Sequence, residues 1–204
     1  MTRATDETFA TCRQQLSTSR LETCAESMGA TLDGDALLIP FFNRTWRVAP
    51  SAMEDAQGNK PTEAVGLVLC KYILQHPSVP PPHGRRITFR ELSGAGPLVS
   101  SFTRNTNKLI ASAFATDMKT LAARSKELNG ECHINQNGFD VSVRFPALPG
   151  IPLFLQLNTA DDLFPAQCNL LFYQSAEQYL DMKSLFILGT YLAGNLVSEI
   201  RAQP

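Results

Sequence analysis

The chain has 204 residues, with 44% hydrophobic and 18% charged residues. That length suits one domain able to bury a core without metal or disulfide staples, and the composition excludes a disordered polyelectrolyte. Eighteen Lys and Arg against nineteen Asp and Glu give a net charge of −1, which argues against a general nucleic-acid binder because such proteins carry a clear basic excess.

Met1 to Ala10 contains Asp6 and Glu7 and no apolar run, so no secretory signal is expected and the cytoplasm is the default compartment. The longest uncharged stretch, Ser184 to Ser198, falls short of the ~20 apolar residues that span a bilayer; no membrane role is expected. Five scattered cysteines, Cys12, Cys24, Cys70, Cys132 and Cys168, form no Cys-x-x-Cys pair. Neither a disulfide framework nor a local metal site is expected, and each cysteine reads as a small buried apolar residue. His76 and His83 flank a proline-rich turn that should be solvated.

Along the chain, Phe9, Cys12 and Leu16 make one helical stripe, and Ser19-Arg20-Leu21-Glu22 has the form of a capping box ahead of a second helix closed by Gly29. Residues 1–30 should therefore be a helical segment packing on the rest. Ala36–Ile39 and Thr45–Val48 read as a hairpin, Ser51–Lys60 as a polar loop, and Pro61 as the first turn of a helix carrying Val65, Val68, Leu69, Tyr72 and Ile73. The stretch from His76-Pro77 through Pro80-Pro81-Pro82 to Gly84 is a stiff linker. Leu109, Ile110, Ala113, Phe114, Met118, Leu121 and Ala122 predict one amphipathic helix ended by Asn129-Gly130. Strands follow at Glu131–Asn135 and Gly138–Phe145 around an Asn137-Gly138 turn, at Ile151–Leu157 after Pro149-Gly150, and at Asn169–Phe172. Met182–Ile200 closes as an apolar helix. Helices and strands are grouped rather than alternating, which predicts a single α+β domain over residues 1–204: a mostly antiparallel sheet packed against several helices.

Phosphate loops, serine-hydrolase elbows and His-Glu-x-x-His motifs are missing from the sequence. What remains is a charge contrast. Residues 85–108 carry Arg85, Arg86, Arg90, Arg104 and Lys108 against the single acid Glu91, whereas 158–182 carries Asp161, Asp162, Glu177 and Asp181 with no base. A salt-bridge network or two solvated faces is the simpler explanation. The sharper expectation is that guanidinium forks at Arg90 and Arg104 bind a carboxylate or phosphate, with Asp161 and Asp162 orienting it, binding a cation, or acting as general acid and base. Asp161-Asp162 ahead of Phe164-Pro165 also fits a turn initiator.

Taken in order, Tyr72-Ile73-Leu74, Ile87-Thr88-Phe89-Arg90-Glu91-Leu92-Ser93-Gly94, Ala147-Leu148-Pro149-Gly150-Ile151-Pro152, Asp161-Asp162-Leu163-Phe164-Pro165, Leu170-Leu171-Phe172 and Tyr179-Leu180 resemble an uncharacterised domain family of bacteria and archaea, frequent in anaerobes. Some of its members are joined to a module read as iron–sulfur, of the kind seen in corrinoid-linked proteins. The resemblance implies an association with anaerobic metabolism and carries Arg90, Glu91 and Asp161 over as candidate site residues. It departs at Leu163, where the family tends to have a second glutamate, and at Tyr173, where it tends to have aspartate.

These readings lead to two expectations. The first is a cytosolic binding or accessory domain that recognises a small anionic ligand or a redox partner protein, with ligand contacts at Arg90, Glu91, Arg104, Asp161 and Asp162. The alternative is an enzyme using those carboxylates beside an arginine anion clamp. Neither names a cofactor.

Overall fold

The computed structural model describes residues 9–136 and 138–198. Helical residues 9–14 (α1) precede α2 (Thr18–Met28), so the two expected N-terminal helices are present. The cap of α2 lies two residues earlier than expected. Ser17, in extended backbone (φ −131, ψ 157), accepts from the Arg20 N–H through its hydroxyl, and Ser19 sits inside the first turn. At the other end, left-handed Gly29 returns its N–H to Ala25 and Glu26, as expected.

The first sheet runs β1 (Leu32–Asp33), β2 (Ala36–Phe41), β3 (Arg44–Val48) and β4 (Met53–Asp55), all antiparallel and in sequence order. The hairpin is where the sequence puts it, although Pro40 lies inside β2. Because β1 pairs only with Ala36 and Leu37, one edge of β2 has no ladder at Pro40 to interrupt. The polar stretch Ser51–Lys60 hides β4. Its Asp55 accepts from the Gln57 and Asn59 N–H groups at 3.0 and 2.9 Å and so builds a turn that polarity alone reads as loop.

Helix α3 (Glu63–Gln75) is capped by Thr62, which places Pro61 just outside the helix rather than in its first turn. After α4 (Val99–Asn105), to which the sequence reading assigns no element, the one long helix expected through Leu109–Ala122 is instead α5 (Asn107–Ala113) and α6 (Met118–Glu127). Two side chains make the breaks. Thr106, at φ −127 and ψ −84, donates its hydroxyl to the Phe102 carbonyl at 2.6 Å, and Asp117 caps α6 by accepting from Thr120 N at 2.9 Å. The apolar spacing survives both breaks, so periodicity cannot register them.

The second sheet has the order β5-β9-β8-β7-β6, formed by β5 (Arg86–Thr88), β6 (Glu131–Gln136), β7 (Phe139–Leu148), β8 (Ile151–Asn158) and β9 (Gln167–Tyr173), antiparallel throughout. The expected single sheet is thus two, while the α+β class holds. Asn137 lies outside the described residues, as does the end of the last expected helix at Ile200; α7 (Met182–Val197) accounts for the rest of it. Leu185, Leu188, Leu192 and Leu196 of α7 are buried, and α7 packs against α3, α4, α5 and α6, while α5 packs on β9. Buried side chains of both sheets and of the helices join one hydrophobic cluster, which makes a single domain. All five cysteines are free, four of them buried and Cys132 half-buried. None of the described helices is long and apolar enough to cross a membrane.

The second sheet has two unlike faces. Val141, Val143, Phe145, Leu153, Leu155, Leu157, Leu170 and Phe172 point inward and are buried. On the opposite face Glu131, His133, Arg144 and Asn169 are exposed, the pattern of an antiparallel sheet with one wet side.

Candidate functional site

The five residues expected from sequence lie on three surface segments, and all are exposed. Arg90 and Glu91 occupy a 3-10 turn after β5, Arg104 the end of α4, and Asp161 and Asp162 the β8–β9 loop. Glu91 is engaged locally: it accepts from Thr88 N at 2.8 Å and Thr88 Oγ1 at 2.9 Å, and meets Arg85 at 3.2 Å. These contacts, the Thr88 backbone bond first, hold its carboxyl below the usual range. Asp161 accepts from Leu163 N at 2.8 Å and Phe164 N at 2.7 Å, the geometry of a turn initiator.

Phe89 stacks on Phe102 at 3.9 Å and fixes the Arg90 turn against α4. Arg104, however, stands two residues past Phe102, about 200° further around the helix, and so faces away from that contact. Among the described residues no ion pair joins Arg90 or Arg104 to Asp161 or Asp162. The fold brings Glu91 to Arg85 and leaves the two arginines and two aspartates on separate elements.

Two clefts lie elsewhere. The first, about 320 Å³, is lined by Met28, His76, Pro81, His83, Gly150 and Tyr179. The proline-rich turn is exposed as expected at Ser78, Val79, Pro80, Pro82 and His83, but His76 itself is only 6% exposed, covered by the Tyr72 and Tyr179 rings at 4.9 and 5.3 Å. Its Nδ1 donates to the Pro77 carbonyl at 3.1 Å, its Nε2 meets the Tyr72 hydroxyl at 3.1 Å, and that hydroxyl lies 2.9 Å from the Pro149 carbonyl. Burial keeps the His76 pKa below its ordinary value, and the nearby Arg20 guanidinium adds to the effect, partly opposed by the Pro77 carbonyl. The neutral imidazole and the phenol then supply two protons for three close contacts, so Tyr72 divides one proton between Pro149 and His76. Gly150, at φ 77, closes this site: a Cβ there would come within 2.6 Å of the Tyr179 ring. The His76–Tyr72 chain ties the end of α3 to the β7–β8 turn.

The second cleft, about 280 Å³, lies on the wet face of the five-stranded sheet. Phe154 forms its floor, and the Arg86 guanidinium sits 3.9 Å above that ring. Arg144, directly across the ladder from Phe154, meets Glu131 at 3.2 Å. Arg86 has no acidic partner among the described residues. In the next row Ser142 pairs in register with His133 on one side and Gln156 on the other. The Ser142 hydroxyl is shut off from solvent without a hydrogen-bond partner, and no side-chain hydrogen bond engages His133 or Gln156 within the described protein. The cleft therefore collects two guanidinium groups, one acid and a set of uncommitted neutral donors. Of these residues, only Arg86 belongs to the basic segment that stands out in the sequence. The others were signalled weakly, by the period-two alternation of 139–145 and 151–157, which puts Ser142, Arg144, Phe154 and Gln156 on one face once the register is known. Among the described residues no cluster of three or more His, Cys, Asp or Glu side chains could hold a metal ion.

Comparison with known families matches residues 20–195 to a domain of unknown function, DUF3786, a span that contains both clefts. No curated protein and no solved structure gives a significant match.

Proposed function

The chain belongs to the DUF3786 family, and we propose that it binds a small anionic molecule in the cleft on the outer face of its five-stranded sheet. The observation that carries this reading is the Ser142 hydroxyl, desolvated and unpartnered, in the row beside Arg144 of a cleft that Arg86 also lines. A buried polar group without a partner costs free energy comparable to a lost hydrogen bond, and a turn of the Ser142 side chain into the cleft that it lines would let an anion supply the missing acceptor. Arg86 brings a charge that no acid neutralises. Arg144 keeps spare donors beside its exposed contact with Glu131, since a guanidinium has five N–H groups.

Binding is favoured over carboxylate acid–base catalysis because Glu91 and Asp161 are committed to neighbouring N–H groups. We place the protein in the cytoplasm, where reducing conditions suit five unpaired thiols.

A thermal-shift titration with inorganic phosphate tests the reading, with chloride at matched ionic strength as control. Tm should climb with phosphate concentration. The climb should vanish in an Arg86→Gln, Arg144→Gln double variant and persist in Arg90→Gln, Arg104→Gln. If the second pair abolishes the effect and the first does not, the site is the arginine surface expected from sequence instead.

A further inference from the structure

Resting on the anion-binding reading above, we infer that the ligand of the sheet-face cleft is a polyhydroxylated acid of monosaccharide size, a sugar phosphate or sugar acid rather than a bare anion. The argument comes from the row of side chains beside the arginines. In register across four strands stand His133 on β6, Ser142 on β7, Gln156 on β8 and Asn169 on β9. Adjacent strands are about 4.8 Å apart, so three gaps make the row roughly 14 Å long. A phosphate or carboxylate group covers one position of that row and leaves the others empty.

The chemistry of the row is mixed. Gln156 and Asn169 each present two N–H donors and a carbonyl acceptor, Ser142 offers one donor and two lone pairs, and a neutral imidazole has one of each. None of these four side chains makes a hydrogen bond within the described protein. A carboxylate or a fully ionised phosphate ester only accepts, so such a head group cannot meet the amide carbonyls. Hydroxyl groups both donate and accept, and a run of them spaced along a carbon chain is the simplest complement to a row that alternates the two roles. The adjoining row supplies the counter-charge, since Arg144 neighbours Ser142 on the same face of β7 and Arg86 reaches over Phe154. An acid head group at the arginines therefore lays the hydroxylated body along His133, Ser142 and Gln156, the members of the row that line the cleft.

Size points the same way. A cleft of about 280 Å³ is at the small end of ligand sites and suits one sugar unit. The floor is no free stacking platform: Phe154 is 4% exposed, covered by Arg86 and by Tyr173, whose ring lies 4.9 Å away edge-on. Discrimination would therefore rest on polar contacts rather than on ring stacking.

Isothermal titration of the whole chain with five probes tests the inference: glucose 6-phosphate and gluconate, each against its bare head group, inorganic phosphate or acetate, and glucose itself. At least one hydroxylated acid should bind about tenfold or more tighter than its head group, and whichever pair shows the gain identifies phosphate or carboxylate as the head. Gln156→Ala should erase the gain, with a wild-type urea midpoint showing that the variant is folded. Equal affinities within both pairs would overturn the polyhydroxyl inference and leave anion binding standing. Glucose binding as tightly as glucose 6-phosphate, or no binding by any probe, would overturn both.

Discussion

The two clefts are nearly equal in volume, about 320 and 280 Å³, and opposite in how their polar groups are engaged. Around the proline cleft, His76 and Tyr72 spend their hydrogen-bonding capacity on each other and on the Pro77 and Pro149 carbonyls, and Arg20 reaches the Leu74 and His76 carbonyls through Nη2 while its Nε has no partner. On the sheet face, Ser142, Gln156 and His133 spend none of theirs within the described protein. Cavity size therefore does not distinguish a ligand site from a joint in the fold. The hydrogen-bond account is the better guide where an unpartnered hydroxyl lies beside other uncommitted polar groups in one cleft, as Ser142 does; Ser125, Ser175 and Ser184, equally unpartnered, line neither cleft.

Substitutions at the proline cleft should break the fold, and those on the sheet face should break binding alone. The largest effect is expected for Gly150→Val, which sets a branched side chain at φ 77 and drives its Cβ into the Tyr179 ring. Backbone strain and overpacking together should cost about 3 kcal/mol or more in urea unfolding. Tyr72→Phe removes the hydroxyl shared by Pro149 and His76 and should cost about 1–3 kcal/mol, the penalty for stranding buried acceptors.

His76 gives the comparison a pH signature. Its folded-state pKa lies below its ordinary value of 6.5, from burial first and then from Arg20. Below pH 6.5 the unfolded chain takes up a proton that the folded chain refuses, so stability present above that value declines as pH falls toward the folded-state value. Urea midpoints between pH 5 and 7.5 should rise with pH in the wild type and rise less in His76→Gln; parallel curves would show that the imidazole is not held neutral. The smallest effect should come from Ser142→Ala. Stability should stay within about 0.5 kcal/mol of wild type, because the hydroxyl has no bond to lose, while the phosphate-dependent rise in Tm shrinks. A Ser142→Ala variant destabilised as strongly as Tyr72→Phe would erase the distinction between the two clefts.

The strands of the second sheet were legible because Val141, Val143 and Phe145 alternate with polar neighbours and Gly150 marks a two-residue turn. The breaks at Thr106 and Asp117 were not, because each depends on a side chain preferring a nearby backbone group to continued helix, and that leaves the apolar spacing intact. The candidate site was less legible still. A charge contrast along the chain draws attention to Arg90, Arg104, Asp161 and Asp162, yet whether such charges meet depends on helical phase and on which loops face each other. The sheet-face cleft takes Arg86 from β5 and, by register across β6, β7 and β8, residues from Glu131 to Gln156, none of which is unusual within its own strand.

The buried thiols make the molecule its own reporter of breathing motions. Burial pushes Cys24, Cys70 and Cys168 up to about 12, so a maleimide or disulfide reagent at neutral pH meets almost no reactive thiolate in the closed state. Each cysteine sits on a different element, α2, α3 and β9. The rate at which each becomes labelled would therefore time the loosening of its own element, with no foreign probe introduced.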